Sequence, residues 1–124
     1  MKKVVFLSLI LFSQVILFQG LTLSYADAVV YESIGIGRQT VTTAGTRVQL
    51  NATSTSCTRI VITAETDNTG IITVGGASVV GALATREGTP LAAGDSVTLY
   101  VNNLNKVYID STVDSDGVSY VYYR

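Results

Sequence analysis

The feature that most constrains this chain is its punctuation. From Val29 to Arg124, clusters of Gly, Pro, Asn and Asp interrupt the sequence about every eight to twelve residues, a spacing that suits a sandwich or barrel of short strands. The intervals are filled largely with Thr, Val and Ile. These residues are crowded at χ1 in a helix and comfortable in an extended chain. No window carries a convincing apolar stripe at helical spacing. Val79 to Glu87 tolerates one helical turn through Ala82, Leu83 and Ala84, but Gly81 weakens anything longer. It is expected to be a strand or an irregular crossing segment.

The expected strands follow from the alternation. A first extended piece covers 29–36 and stops at Gly35 and Gly37; a second covers 38–43 and turns at Ala44-Gly45. A third covers 46–52, with Val48 and Leu50 on one face. Cys57 to Glu65 is the clearest central strand, with Ile60, Ile62 and Ala64 opposite Arg59, Val61 and Thr63. Asn68 and Gly70 turn the chain, Ile71 to Val74 returns, and Gly75-Gly76 makes a tight turn or a bulge. Pro90 lacks a donor and cannot sit in a central strand, while Leu91 anchors its loop inward. Gly94 leads into Ser96–Val101, and Asn103 turns the chain into 106–113. Asp114, Asp116 and Gly117 supply a "DG" hairpin signal before 118–123, where Val118, Tyr120 and Tyr122 share a face. If strands 96–101, 106–113 and 118–123 form a meander, Tyr108 neighbours Tyr100 or a terminal tyrosine. The expected fold is all-β: a small antiparallel β-sandwich, jelly-roll-like, of about eight short strands.

Residues 1–28 are read separately. Lys2 and Lys3 precede an apolar run, Val4 to Phe18, and the segment ends in Ala26-Asp27-Ala28, the small-residue pattern of a cleavage site. The expectation is a signal peptide, with an uncleaved N-terminal membrane segment as the alternative and the only membrane association foreseen. Residues 29–124 then form a single β-sandwich domain, secreted or extracellular. All three Phe residues lie in the leader and Trp is absent, so aliphatic side chains and Tyr must fill the core.

Composition narrows the chemistry. The protein has no His, which removes the usual general base, the usual zinc ligand and the ordinary triads together. Lys106, the one lysine after residue 28, sits in a turn where a solvated lysine is expected. Glu32, Glu65 and Glu87 are isolated near strand ends, with no Trp platform for sugar hydrolysis. Asp110, Asp114 and Asp116 are weak calcium candidates, because their spacing departs from the EF-hand and no acidic residue follows Gly117. A polar hairpin explains them equally well. Gly35-x-Gly37 and Gly75-Gly76 lack the lysine and helix of a phosphate loop. Of nine acidic residues only Asp27 precedes Val29, and of eight basic ones only Lys2 and Lys3 do, so the remainder is slightly acidic and scattered. Nucleic-acid binding needs a concentrated positive footprint and is not expected. Cys57 is the single cysteine; no internal disulfide forms, and it is read as a small buried hydrophobe or as a partner for another chain.

Tyr100, Tyr108, Tyr120, Tyr122 and Tyr123 all fall in the last 25 residues. Some must fill the core. Tyr100, Tyr108, Tyr122 and Tyr123 are the candidates for a contact surface, since tyrosine suits interfaces. A carbohydrate platform is the rival use.

The pieces "TAGTRVQL" (43–50), "CTRIVITAETDNTGIITVGG" (57–76), "GTPLAAGDSVTL" (88–99) and "NKVYIDSTVDSDGVSYVYY" (105–123) together span most of 29–124. They resemble the small all-β accessory domain of tailed-bacteriophage structural proteins of the head and tail. The resemblance carries no catalytic residues. It implies a virion accessory or decoration role, through self-association or attachment to a larger shell. "PLAAGDSVTL" also resembles the rim hairpin of cupin-like jelly rolls, but the metal-binding histidines of those enzymes are missing here. The expectation is a non-enzymatic structural protein of a virion or extracellular assembly, a homo-oligomer or part of a larger protein assembly, without a cofactor. The alternative is an exported carbohydrate-binding or adhesive domain.

Overall fold

The alternation of Arg59–Ala64 becomes the central ladder of the fold: Ile60, Ile62 and Ala64 are fully buried, while Arg59, Val61 and Thr63 are only half-buried on the opposite face. The structure, a computed structural model, describes residues 29–124; the expected leader lies outside the described residues. Tyr31–Arg124 is one compact unit.

Its strands are β1 (Ile34–Thr40), β2 (Val48–Gln49), β3 (Arg59–Ala64), β4 (Ile72–Gly75), β5 (Thr89–Leu91), β6 (Ser96–Leu99), β7 (Tyr108–Ser111) and β8 (Gly117–Tyr123). They form two four-stranded sheets, ordered β1-β8-β3-β6 and β2-β7-β4-β5, and every pairing is antiparallel. Successive strands change sheet at every connection except β4 to β5. That alternation is the jelly-roll arrangement of two Greek keys, with the apolar faces packed against each other.

The expected all-β sandwich is present, but its local pairings differ from the sequence expectation. β6, β7 and β8 are not a meander, because β7 belongs to the opposite sheet from β6 and β8. The Asp114–Gly117 segment is a crossing between sheets. Its positive φ falls on Ser115 (68°), and Gly117 already belongs to β8. Gly35 and Gly37 do not end a strand; β1 runs through both. Gly45 (φ 78°) and Gly94 (φ 84°) do turn the chain in the left-handed region that favours glycine. Gly75 closes β4, opposite Tyr108, and Gly76 stands in the open. Pro90 lies in β5 at a sheet edge, where the missing donor is tolerated. The 79–87 segment is irregular, with a Val80–Glu87 bridge and one 3-10 turn at Leu83–Thr85.

The core joins Ile60, Ile62, Val118 and Tyr120 of one sheet to Ile72, Val74, Leu91 and Ile109 of the other, closed by Val41, Leu50 and Leu104. Each such aliphatic side chain contributes about 1.5–3 kcal/mol on burial. Cys57 is buried with them and its thiol meets the carbonyl of Val101 at 3.2 Å. Burial pushes its pKa up, which keeps it a thiol.

Candidate functional site: the uncovered face and free edge of one sheet

The outer face of β1-β8-β3-β6 is built by residues the core does not use. The register sets Ile36, Val121, Val61 and Thr98 in one row across the four strands. Ile34, Tyr123 and Arg59 form the next row, and Arg38, Ser119, Thr63 and Ser96 the row on the other side. The middle row is apolar over three strands. Ile34 and Ile36 are 66% and 81% exposed on β1, which is the edge of the sheet.

β1 can lie flat at that edge because its inward positions are glycines. Tyr122 and Tyr120 of β8 lie across Gly35 and Gly37, and a Cβ at either glycine would collide with the ring above it. The aromatic rings replace the missing side chains and seal the core under the edge strand. Burial pushes the Tyr120 phenol pKa up, with neighbouring Tyr122 adding to the effect.

The hydrogen bonds show which way the β1 backbone points. Val41 donates to Asp116 (2.9 Å) and Arg124 donates to Ser33 (3.0 Å). With the observed register, the odd-numbered residues of β1 exchange bonds with β8, so the amides and carbonyls of Ile34, Ile36 and Arg38 face the free edge. At Thr40 the edge-facing N–H is taken by the Gln39 side chain (3.1 Å).

One end of the face carries an aromatic–cation stack. The Arg59 guanidinium sits 4.1 Å from the Tyr123 ring centroid and 5.3 Å from that of Tyr31, and the two rings are 5.0 Å apart. The other end carries a bidentate ion pair: Arg38 donates from Nε and Nη2 to both carboxylate oxygens of Glu65. The guanidinium holds the Glu65 carboxyl below its ordinary pKa.

The four tyrosines proposed from sequence as one contact set are not brought together. Tyr123 lies on the uncovered face, and Tyr100 follows β6 at the same end, 75% exposed. Tyr122 points inward beneath Gly35, and Arg124 donates to its hydroxyl at 3.3 Å. Tyr108 belongs to the other sheet, opposite Gln49 and Gly75. What the sequence reading overlooked is the aliphatic part: Ile34, Ile36, Val61 and Val121. The alternating Ile-Gly-Ile-Gly of β1 and Val61 on the polar side of β3 were the available signals.

The second sheet's outer face is covered. Thr73 and Asp110 stand opposite each other and point away from the core, yet both are buried, because the segment 76–88 folds over them. Val79 is buried there, and Gly81 donates to Asp110 Oδ2 at 2.7 Å while Ser111 donates to Oδ1 at 2.8 Å. Asp116 accepts from Thr69 and Gly70, and Asp114 accepts from Ala44. Asn68 clasps Gly117 through both ends of its amide, and Asn103 accepts from Thr55 and Asn105. The calcium candidates thus serve as acceptors for separate stretches of backbone. Among the described residues no three His, Cys, Asp or Glu side chains gather as a metal site.

No protein-family model and no curated protein matches the chain. One solved structure, from work titled "Bacillus endospore appendages form a novel family of disulfide-linked pili", aligns with 81% of this chain and 95% of its own, at 19% identity and a TM-score of 0.41.

Proposed function

We propose that this chain is a non-enzymatic structural subunit of an extracellular assembly, which attaches to copies of itself or to a larger shell through the uncovered face of β1-β8-β3-β6. The observation that supports this most is the exposure of Ile34 and Ile36 beside Val61 and Val121, an apolar strip running to a free strand edge. The buried carboxylates are engaged with backbone amides, and Glu65 with Arg38. A virion shell, which the phage resemblance implies, is the narrower form of this proposal. Gold-labelled antibody on producing cells and on released particles distinguishes a virion from a cell-surface location.

Sedimentation of the protein recovered after expression of the full chain tests the central part. Association that grows with concentration is expected. A monomer that stays monomeric at millimolar concentration, and is recovered free of any larger particle, contradicts it. A carbohydrate-binding role is favoured only by Tyr100, which is 75% exposed at the end of the face that carries the Arg59 stack. Glycan binding that disappears in Tyr100→Ala would establish that role instead.

A further inference from the structure

We infer that the β1 edge pairs with β1 of a second copy, antiparallel, about a two-fold axis through Ile36. The inference rests on the self-association proposed above and specifies its surface and register.

The four sheet edges differ. β2 is two residues long, β5 is three residues long with Pro90 at its centre, and β6 is four residues long. Those are edges blunted against pairing by shortness or proline. β1 is seven residues long and contains no proline. Its free amides and carbonyls belong to Ile34, Ile36 and Arg38, so an added antiparallel strand must meet these three as hydrogen-bonded partners.

One register uses all three on both copies. Ile36 stands opposite Ile36 of the second copy, Ile34 opposite Arg38, and Arg38 opposite Ile34. It is its own image under a two-fold rotation, as an isologous contact requires. It forms roughly six main-chain hydrogen bonds, two for each of the three opposed pairs. On the outer face the two Ile36 side chains meet and join the Val121–Val61 rows of both copies into one apolar strip. On the inner side Gly35 opposes Gly37, so no side chain obstructs the approach of the backbones.

Charge agrees with the same register. Arg38 of one copy lies at the strand end that carries exposed Glu32 of the other, and symmetry repeats the opposition. The product is an eight-stranded sheet continuous across two copies. A single strand pair of this length buries less than about 1,200 Å², which places it among weak contacts that a larger assembly reinforces by repetition.

The test uses Ile36→Pro and Ile36→Cys. The Ile36 amide faces the free edge, so proline there removes no bond to β8 and blocks the added strand. The expected result is a folded protein, by circular dichroism, whose self-dissociation constant rises at least about tenfold. Cysteine at the self-opposed position lies about 5.5 Å from its symmetry mate between Cα atoms, within disulfide range. Under mild oxidation Ile36→Cys is expected to give a covalent dimer, whereas Thr98→Cys on the opposite edge is not. If the proline variant does not fold, the cysteine pair alone decides. Association that persists unchanged in Ile36→Pro, or crosslinking that is no better at 36 than at 98, overturns this pairing while leaving the structural-subunit proposal standing. A wild-type protein that never self-associates and is recovered free of any larger particle overturns both.

Discussion

The two sheets share one core and differ in what covers their backs. Behind β2-β7-β4-β5, the segment 76–88 buries Thr73 and Asp110 and satisfies the Asp110 carboxylate with two backbone amides. Behind β1-β8-β3-β6 no such segment among the described residues lies over Ile36, and its neighbours Val61 and Val121 are left half-buried in an apolar row. The difference extends to the edges: the covered sheet ends in a two-residue strand and a proline-bearing one, the bare sheet in seven-residue β1. A short domain without disulfides can leave apolar area open when that area is completed by another chain.

Substitutions at four positions would break or sharpen this contrast. The largest effect is expected in the covered sheet. Asp110→Ala strips the acceptor from the amides of Gly81 and Ser111 in a buried place, and should cost about 3 kcal/mol in urea unfolding. Asp110→Asn keeps the shape and one acceptor, and should cost less. If alanine is tolerated, the covering segment is not held as described.

A smaller effect is expected under the bare sheet's edge. Gly37→Ala places a methyl against the buried Tyr120 ring and should destabilise by about 1–3 kcal/mol. Gly35→Ala should cost less despite the closer contact, because half-buried Tyr122 has room to swing outward. Equal losses at the two positions would mean that neither ring seals the core preferentially.

The smallest effect concerns pH. The folded Glu65 carboxyl has a pKa below its ordinary value of 4.5 because Arg38 donates to it. The pair's contribution is therefore complete above the unfolded value and is lost as pH falls through the lower folded one. Thermal unfolding of Glu65→Gln should show a flatter dependence on pH across that acid window than the wild type does. Identical slopes would show that the exposed pair does not contribute.

How much of this was legible in the sequence depends on the range of the interaction. The face of each strand was legible, because alternation is local: Ile60, Ile62 and Ala64 sit where the pattern of Cys57–Glu65 puts them. Left-handed turns at Gly45 and Gly94 were equally local. Partner choice was not. A short polar turn such as Asp114–Gly117 serves a hairpin or a step between sheets equally well, and here it makes the step. The roles of Gly35 and Gly37 were hidden for the same reason, since the rings they accommodate come from β8, more than eighty residues away in sequence. Asp110 looked like a hairpin or metal residue because nothing in its own segment shows that 76–88 will cover it. The candidate surface was half visible. Of the clustered tyrosines, Tyr123 and Tyr100 lie at one end of the uncovered face, whereas Tyr108 belongs to the other sheet and Tyr122 points inward beneath Gly35.

Amide hydrogen exchange at Ile34, Ile36 and Arg38, followed from dilute to concentrated protein, tests the central claim most directly. These three amides face the open edge, so in dilute solution they should exchange rapidly while the odd-numbered amides of β1 stay protected. As concentration rises, their protection should rise with the associated fraction and the rest of the domain should change little. Rapid exchange of all three at concentrations where the protein is associated would contradict the claim that copies meet along β1.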